Sequence, residues 1–131
     1  NFRIKKIDST VKKRRSNAQF YLNNLDRSFY FINDEKKYQF NTYHTFVIQT
    51  DKRDKLINFL NKNGIGTAIH YPIPIHLQPA SKYLKYKKGS FPNTEEQSKR
   101  ILTIPIHQNL SRANLSLIVK LMNKFAQQNL K

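Results

Sequence analysis

Apolar residues near the start of the chain recur at spacings of three, four and seven, which is typical of an amphipathic helix. They are Ile4, Ile7, Val11, Ala18, Leu22 and Leu25. The opposite face carries Lys12, Lys13 and Arg15. We interpret this basic face as solvated or docked on another domain, with contact to nucleic acid as the alternative.

Residues 26–41 mix polar and aromatic positions, and the stretch after them predicts the clearest strand. Phe29–Ile32 is a candidate edge strand before the turn signal at Asn33-Asp34. From Thr42 to Thr50, β-branched and aromatic residues follow one another, as they do in strands.

A helix is predicted directly after this strand. Asp51 is its expected N-cap, and Asn63-Gly64 supplies the stop signal. Its predicted buried stripe is Leu56, Ile57 and Leu60. A short strand then leads to His70, so residues 42–70 form one β-α-β unit. The two strands of this unit are either adjacent and parallel or separated by a third strand.

The segment Ala80–Lys88 interleaves aromatic and basic side chains. We favour a short surface helix that is anchored by Tyr83 and Leu84 and ended by Gly89. The alternative is a nucleic-acid contact, in which the aromatic rings stack on bases while the lysines hold phosphates.

The remaining pattern predicts two helices with a strand between them. Asn93 or Thr94 is the expected cap of a helix that ends near Arg100, and Ile101–Ile104 is a short strand. Ser111 is the expected cap of the last helix, whose apolar stripe is Leu115, Ile118, Val119, Met122 and Phe125. Together the elements predict a single domain over residues 1–131 with an α+β fold, in which a small antiparallel or mixed sheet is covered by helices.

The charge of the chain bears on its partners. The formal net charge is +16, from 24 Lys and Arg against 8 Asp and Glu. Such an excess of basic residues is typical of proteins that bind polyanions. We favour a simpler explanation for it, because AT-rich coding produces sequences rich in Lys, Asn and Ile. We therefore expect only non-specific contact with nucleic acid.

Composition disfavours several classes of protein. The sequence contains no cysteine, so it offers neither a disulfide framework nor a thiolate metal site. No apolar run approaches about 18 residues, so no membrane span is expected. The first residue is Asn1, which suggests a fragment or a processed chain. No signal peptide is visible, and we expect a cytoplasmic location.

The proline-containing loop after the second helix holds most of the candidate chemistry. Pro72 and Pro74 restrict the backbone and are expected to keep the loop extended. In an extended segment His70 and His76 share one face and Tyr71 points to the other, unless an X-Pro bond is cis. Two imidazoles and a phenol on a rigid loop indicate that this loop contacts a ligand.

Four ordered blocks of the sequence resemble one enzyme family. They are the run GIGTAIHYPIPIHLQPA at residues 64–80, residues 14–21, residues 43–48, and Phe91-Pro92 continuing through residues 101–107 to Leu110-Ser111. In this order they resemble the C-terminal portion of the DegT/DnrJ/EryC1/StrS family. Members of that family are sugar aminotransferases of fold type I that use pyridoxal phosphate.

The resemblance implies that this chain is the small C-terminal domain of such an enzyme. In the family, a lysine of the N-terminal domain forms the Schiff base with pyridoxal phosphate, and neither that lysine motif nor the acidic partner of the pyridinium is matched here. We therefore expect no cofactor on this chain alone. The C-terminal domain contributes a wall of the substrate pocket and part of a homodimer interface.

The resemblance also carries over individual residues. His70, Tyr71 and His76 match pocket-facing positions of the family, and His44 matches a position close to the same region. The implied substrate is a nucleotide-linked keto-sugar, aminated from glutamate for polysaccharide or antibiotic synthesis.

The residues themselves predict no self-sufficient active site. No glycine-rich phosphate loop is present, and the spacing of the four histidines matches no metal motif. We therefore assign no catalytic residue and no metal ligand, and we expect His107 to close a turn. Two other functions remain open: a basic nucleic-acid-binding module, and a stand-alone sugar-binding domain.

Overall fold

The computed structural model describes residues 4–130 and contains four α-helices and two strands in that range. The elements are α1 Ile7–Asn24, β1 Phe46–Gln49, α2 Arg53–Lys62, α3 Pro92–Arg100, β2 Ile101–Ile104 and α4 Arg112–Asn129. Short 3-10 helices precede α1 at Ile4–Lys6 and lie between α2 and α3 at Ile75–Leu77 and Pro79–Leu84. The predicted α+β class is confirmed.

The sheet is small and antiparallel, and β2 occupies its centre. β1 pairs with β2 with Phe46 opposite Ile104. On the far side of β2, Ala68 forms a single antiparallel bridge with Thr103. The β1 and Ala68 segments therefore run in the same direction with β2 between them. Of the two arrangements predicted for the β-α-β unit, the structure has the one in which a third strand separates the two.

The predicted edge strand at Phe29–Ile32 is reduced to one bridge. Phe31 and Gln49 exchange two main-chain hydrogen bonds of 2.9 Å. The adjacent strand is also shorter than the predicted Thr42–Thr50, because regular pairing covers only Phe46–Gln49.

One hydrophobic core lies between the sheet and the helices α1, α2 and α4. Alternate strand residues point into it, namely Phe46, Ile48, Leu102 and Ile104. The whole predicted stripe of α4 is buried there. The strand residues that point the other way stay partly exposed, including Val47 and Thr103. The sheet therefore keeps one open face.

The helix α1 is buried over only part of its predicted stripe. Ala18 and Tyr21 are fully buried, whereas Ile4 and Ile7 are 69% and 56% exposed. The amphipathic pattern thus predicted the helix correctly but overstated the burial of its first turns.

Two of the predicted helix ends are confirmed. Gly64 has φ of 75°, its N–H donates to the Asn61 carbonyl, and the N–H of Ile65 donates to the Leu60 carbonyl. This is a Schellman ending, in which glycine adopts the left-handed conformation without steric cost. Ser111 caps α4 in a capping box with Asn114.

Two other predicted boundaries are wrong. Lys52 rather than Asp51 is the N-cap of α2, and Phe91 rather than Asn93 or Thr94 is the N-cap of α3. In α3 the fixed φ of Pro92 suits the first helical position, so the helix starts earlier than the polar residues suggest.

The surface helix predicted at Ala80–Lys88 is instead the 3-10 helix Pro79–Leu84, whose C-cap is Lys85 and not Gly89. Its expected anchors do not hold it, because Tyr83 is 78% exposed and Leu84 is 43% exposed. Among the helix residues only Ser81 is buried. The aromatic and basic side chains of this segment are thus presented to solvent.

Candidate functional site

His70 lies on the open face of the sheet, next to the central strand. Its Nδ1 is 3.0 Å from the hydroxyl of Thr103, a β2 residue whose main chain pairs with Ala68. The imidazole is exposed, and its Nε2 has no hydrogen-bond partner among residues 4–130. One ring nitrogen is therefore fixed by the sheet while the other faces solvent.

Tyr71 stands beside His70 and is 70% exposed. The two rings meet edge to face, with centroids 5.4 Å apart. The peptide bond that joins the two residues is cis. The phenol hydroxyl is the second exposed polar group at this edge, so His70 and Tyr71 form a pair that can donate and accept hydrogen bonds.

His76 occupies a different environment from His70. Its side chain is only 7% exposed, and its Nε2 is 3.0 Å from Oε1 of Glu95 in α3. Because an ionised carboxylate can only accept, Nε2 must carry the proton in this hydrogen bond. The prediction that His70 and His76 share one face is wrong, since the backbone bends after Pro72 and enters the 3-10 helix Ile75–Leu77.

Glu95 accepts hydrogen bonds from three directions. Besides His76, its carboxylate accepts the N–H of Gly89 at 2.7 Å and the N–H of Phe91 at 3.4 Å. Burial alone would raise the pKa of Glu95, but the hydrogen bonds from His76, Gly89 and Phe91 outweigh it and hold the pKa below its usual value. The carboxylate is therefore ionised at neutral pH.

Aromatic rings pack against one another beside the contact between His76 and Glu95. The Phe91 ring meets the His76 ring edge to face at 4.8 Å and the Tyr86 ring at 4.9 Å. The loop that carries the candidate residues is thus joined to the start of α3 by both polar and aromatic contacts.

His44 lies at the other end of the strands, just before β1. Arg14 of α1 donates to the His44 carbonyl and lies 3.3 Å from His44 Nδ1, and its Nε donates to Gln108 at 3.2 Å. Because a guanidinium only donates, Nδ1 of His44 accepts and a neutral ring carries its proton on Nε2. In the sheet register His44 is three residues before Val47, which pairs with Thr103. His44 is therefore separated along the strands from His70.

His107 takes part in the turn after β2. Its Nδ1 accepts the N–H of Asn109 at 3.3 Å, and its carbonyl accepts from the buried Asn17 of α1 at 3.0 Å. These contacts fit the structural role expected from the sequence.

The described residues do not form a pyridoxal phosphate site. Such a site needs a lysine amine held in a pocket and a carboxylate for the pyridinium nitrogen. Every lysine of residues 4–130 is exposed. The carboxylate of Glu95, whose side chain is 12% exposed, is already occupied by His76, Gly89 and Phe91. The same residues contain no cluster of three or more potential metal ligands, and none of their helices is long and apolar enough to cross a membrane.

Sequence reasoning missed Thr103, Glu95 and Arg14. Thr103 lies in a predicted strand, and nothing local marks it as the partner of a distant histidine. Glu95 is adjacent to Glu96, and the sequence alone does not show that the two carboxylates have different environments. A glutamate four positions after the Phe91 N-cap was the available signal, since such a carboxylate can accept the free N–H groups of a helix start.

Comparison with known structures identifies the class of protein. The S. venezuelae protein DesV, solved in complex with a ketimine intermediate, superposes with a TM-score of 0.91 at 28% identity, over 96% of this chain and 34% of DesV. A putative sugar aminotransferase from Streptococcus pneumoniae in its apo form superposes with a TM-score of 0.84 at 20% identity, over 97% of this chain and 33% of its own, which shows the shared fold. The fold is thus that of a part of the sugar aminotransferases.

Sequence comparison then gives the family. Residues 1–123 match the DegT/DnrJ/EryC1/StrS aminotransferase family, and the chain belongs to that family. A pleiotropic regulatory protein of Geobacillus stearothermophilus is 30% identical over 91% of this chain and 33% of its own length. The dTDP-3-amino-3,6-dideoxy-alpha-D-galactopyranose transaminase of Aneurinibacillus thermoaerophilus is 27% identical over 95% of this chain and 34% of its own. The chain therefore spans about a third of the length of these relatives.

Proposed function

We propose that this chain is the C-terminal, substrate-facing domain of a nucleotide-sugar aminotransferase that uses pyridoxal phosphate. The superposition on DesV, together with an exposed polar edge at His70 and Tyr71, supports the proposal most directly. In this proposal the complete cytoplasmic enzyme transfers an amino group from glutamate to a keto-sugar and works as a homodimer. The Schiff-base lysine and the partner of the pyridinium nitrogen belong to the part of the relatives that this chain does not cover.

In the proposed enzyme His70 and Tyr71 bind the nucleotide-linked sugar. The Nε2 of His70 and the hydroxyl of Tyr71 are exposed, so they can hydrogen-bond sugar hydroxyls or a phosphate oxygen. Thr103 fixes the orientation of His70 through Nδ1, which leaves less side-chain freedom to lose on binding. His44, next to Arg14, is proposed as a further contact on the same substrate.

His76 was predicted from the sequence to contact substrate, and that direct role remains a prediction. Its burial against Glu95 and Phe91 favours an indirect role. In either role His76 belongs to the loop that presents His70 and Tyr71.

The experiment begins with the coding sequence upstream of Asn1. We expect an in-frame domain with a Schiff-base lysine, and we expect the complete protein to aminate a nucleotide-linked keto-sugar with glutamate. In that protein Tyr71→Phe and His70→Ala should lower kcat/KM about ten- to hundredfold, the loss of a hydrogen bond to a charged ligand, and leave the cofactor absorbance unchanged. Normal kcat/KM in both variants would refute the proposed site.

The isolated 131-residue chain gives a complementary test. Borohydride reduction with pyridoxal phosphate, followed by mass measurement, should yield no stoichiometric, site-specific adduct. A single modified lysine together with amino-transfer activity would show that the chain carries its own active site. If no catalytic domain precedes Asn1, binding of a nucleotide-sugar to the chain alone would favour the stand-alone sugar-binding function instead.

A further inference from the structure

We propose that Glu95 is a positioning residue that sets the conformation of the candidate substrate-binding loop through His76. The loop comprises residues 70–78. The expected effect on substrate rests on the proposed function, whereas the effect on the loop does not.

The first step of the argument is the convergence of three segments on one carboxylate. Glu95 accepts from His76 of the loop at 3.0 Å, from Gly89 of the following turn at 2.7 Å, and from Phe91 at the start of α3 at 3.4 Å. The side chains of His76 and Glu95 are 7% and 12% exposed. Shielding from water strengthens these hydrogen bonds and makes the loss of either partner costly.

The second step is the stiffness of the chain between His76 and the exposed pair. The N–H of Leu77 donates to the Pro74 carbonyl at 2.9 Å, and the Gln78 side chain donates to the Ile73 carbonyl at 3.2 Å. Pro72 and Pro74 add fixed φ angles within the same segment. A displacement of His76 is therefore transmitted toward Tyr71 and is not absorbed by a flexible linker.

The third step is that the loop is held at both ends. At its start, Ala68 exchanges two main-chain hydrogen bonds with Thr103, and His70 bonds to the Thr103 hydroxyl. At its end, His76 is held by Glu95 and by the edge-to-face contact with Phe91. The Thr103 anchor belongs to the sheet and the Glu95 anchor to α3, so the two can be tested separately.

Glu96 provides a matched control for Glu95. It is the next residue of the same helix, but its carboxylate is exposed and pairs with Lys99 one turn away. Glu95→Gln and Glu96→Gln remove the same charge from the same helix, yet only the first weakens a hydrogen bond to the loop, because the neutral amide oxygen is a poorer acceptor than the carboxylate. Glu95→Ala serves as the stronger form of the test.

The experiment measures amide hydrogen exchange in the 131-residue chain by NMR. Loss of the Glu95 carboxylate should speed exchange at the Leu77 and Gln78 amides about ten- to hundredfold, as expected when a hydrogen bond to a charged group is removed from a local structure. Thr103 and Ala68 should keep their protection in all variants, and Glu96→Gln should change none of these amides. His76→Ala combined with Glu95→Ala should speed exchange at Leu77 and Gln78 little more than Glu95→Ala alone, because Glu95→Ala already removes the hydrogen bond of His76.

A second measurement concerns substrate. In the complete enzyme, Glu95→Gln should raise KM for the nucleotide-sugar about tenfold, with kcat and the cofactor absorbance nearly unchanged. Unchanged exchange at Leu77 and Gln78 with a lowered melting temperature would reduce Glu95 to a structural cap of α3 and overturn the proposal. Faster loop exchange with an unchanged KM would overturn the positioning role. An enzyme without amino-transfer activity would refute the proposed function but leave the exchange result valid.

Discussion

The phenol of Tyr21 donates a hydrogen bond of 2.8 Å to the main-chain carbonyl of Pro105. Tyr21 is fully buried in α1, and Pro105 directly follows the central strand β2. The hydrogen bond therefore fixes α1 to the end of the strand that also carries Thr103, which orients His70. Burial raises the pKa of the Tyr21 phenol far above its usual value, so the hydroxyl remains protonated and able to donate.

Replacing Tyr21 with Phe should lower the free energy of unfolding by about 1–3 kcal/mol, because the Pro105 carbonyl would lose its partner inside the protein. Tyr38→Phe is the control, since Tyr38 is largely exposed and its change should be within about 0.5 kcal/mol of zero. Urea unfolding monitored by circular dichroism checks both variants. Equal stability of the two variants would mean that the Tyr21 hydroxyl contributes nothing to the fold.

Replacing Ser111 with Ala should cost about 1 kcal/mol, because the Ser111 hydroxyl accepts the N–H of Asn114 at the start of α4. Ser116→Ala, at an exposed position inside the same helix, should leave stability unchanged or raise it slightly. The same unfolding measurement compares them. A decrease in Ser116→Ala as large as that in Ser111→Ala would argue against a capping role.

The pair of Arg15 and Glu35 should make stability depend on pH in the acid range. The hydrogen bond from Arg15, with a further one from the N–H of Asn41, holds the pKa of Glu35 below its usual value. The stabilisation is therefore complete above the unfolded-state pKa of about 4.3 and is lost as the pH falls through the lower, folded-state value. The stability difference between the wild type and Glu35→Gln should be constant at neutral pH and shrink below about pH 4. A difference that persists undiminished at pH 2 would contradict this assignment.

The exposed lysines after the candidate loop should dominate any binding of polyanions. Replacing Lys82, Lys85, Lys87 and Lys88 with Gln should make the binding less dependent on salt. The slope of the logarithm of the association constant against the logarithm of the salt concentration should become less negative by about 0.7 for each phosphate of single-stranded DNA that is no longer neutralised. A control with Lys55, Lys62, Lys120 and Lys124 replaced changes the net charge equally. Binding of a labelled single strand at two salt concentrations checks the prediction. Sequence preference that survives physiological salt would favour the nucleic-acid-binding alternative.

Local patterns predicted the main elements because each carries its own signal. The stripe of α4 and the stop at Gly64 are properties of residues close together in sequence, and both are confirmed. The caps at Asp51 and at Asn93 or Thr94 were wrong because several polar residues compete at each helix start. There, tertiary packing and the φ of Pro92 decide the boundary.

The candidate site was only partly predictable because its contacts are distant in sequence. The contacts of His70 with Thr103 and of His76 with Glu95 bridge segments that no local period connects. Periodicity suggested that the two histidines were equivalent. The 3-10 helix at Ile75–Leu77 removes that equivalence by turning His76 toward α3.

The position of β2 at the centre of the sheet has a consequence for folding during synthesis. Both of its neighbours, β1 and the Ala68 segment, precede β2 in the chain. A nascent chain must therefore hold Phe46 and Ile48 without their strand partner until Ile104 has left the ribosome. Pairing between segments so far apart in sequence is slow, and it leaves apolar strand residues open to intermolecular pairing in the interval. A chain that stops before Ile101 would have no sheet to complete.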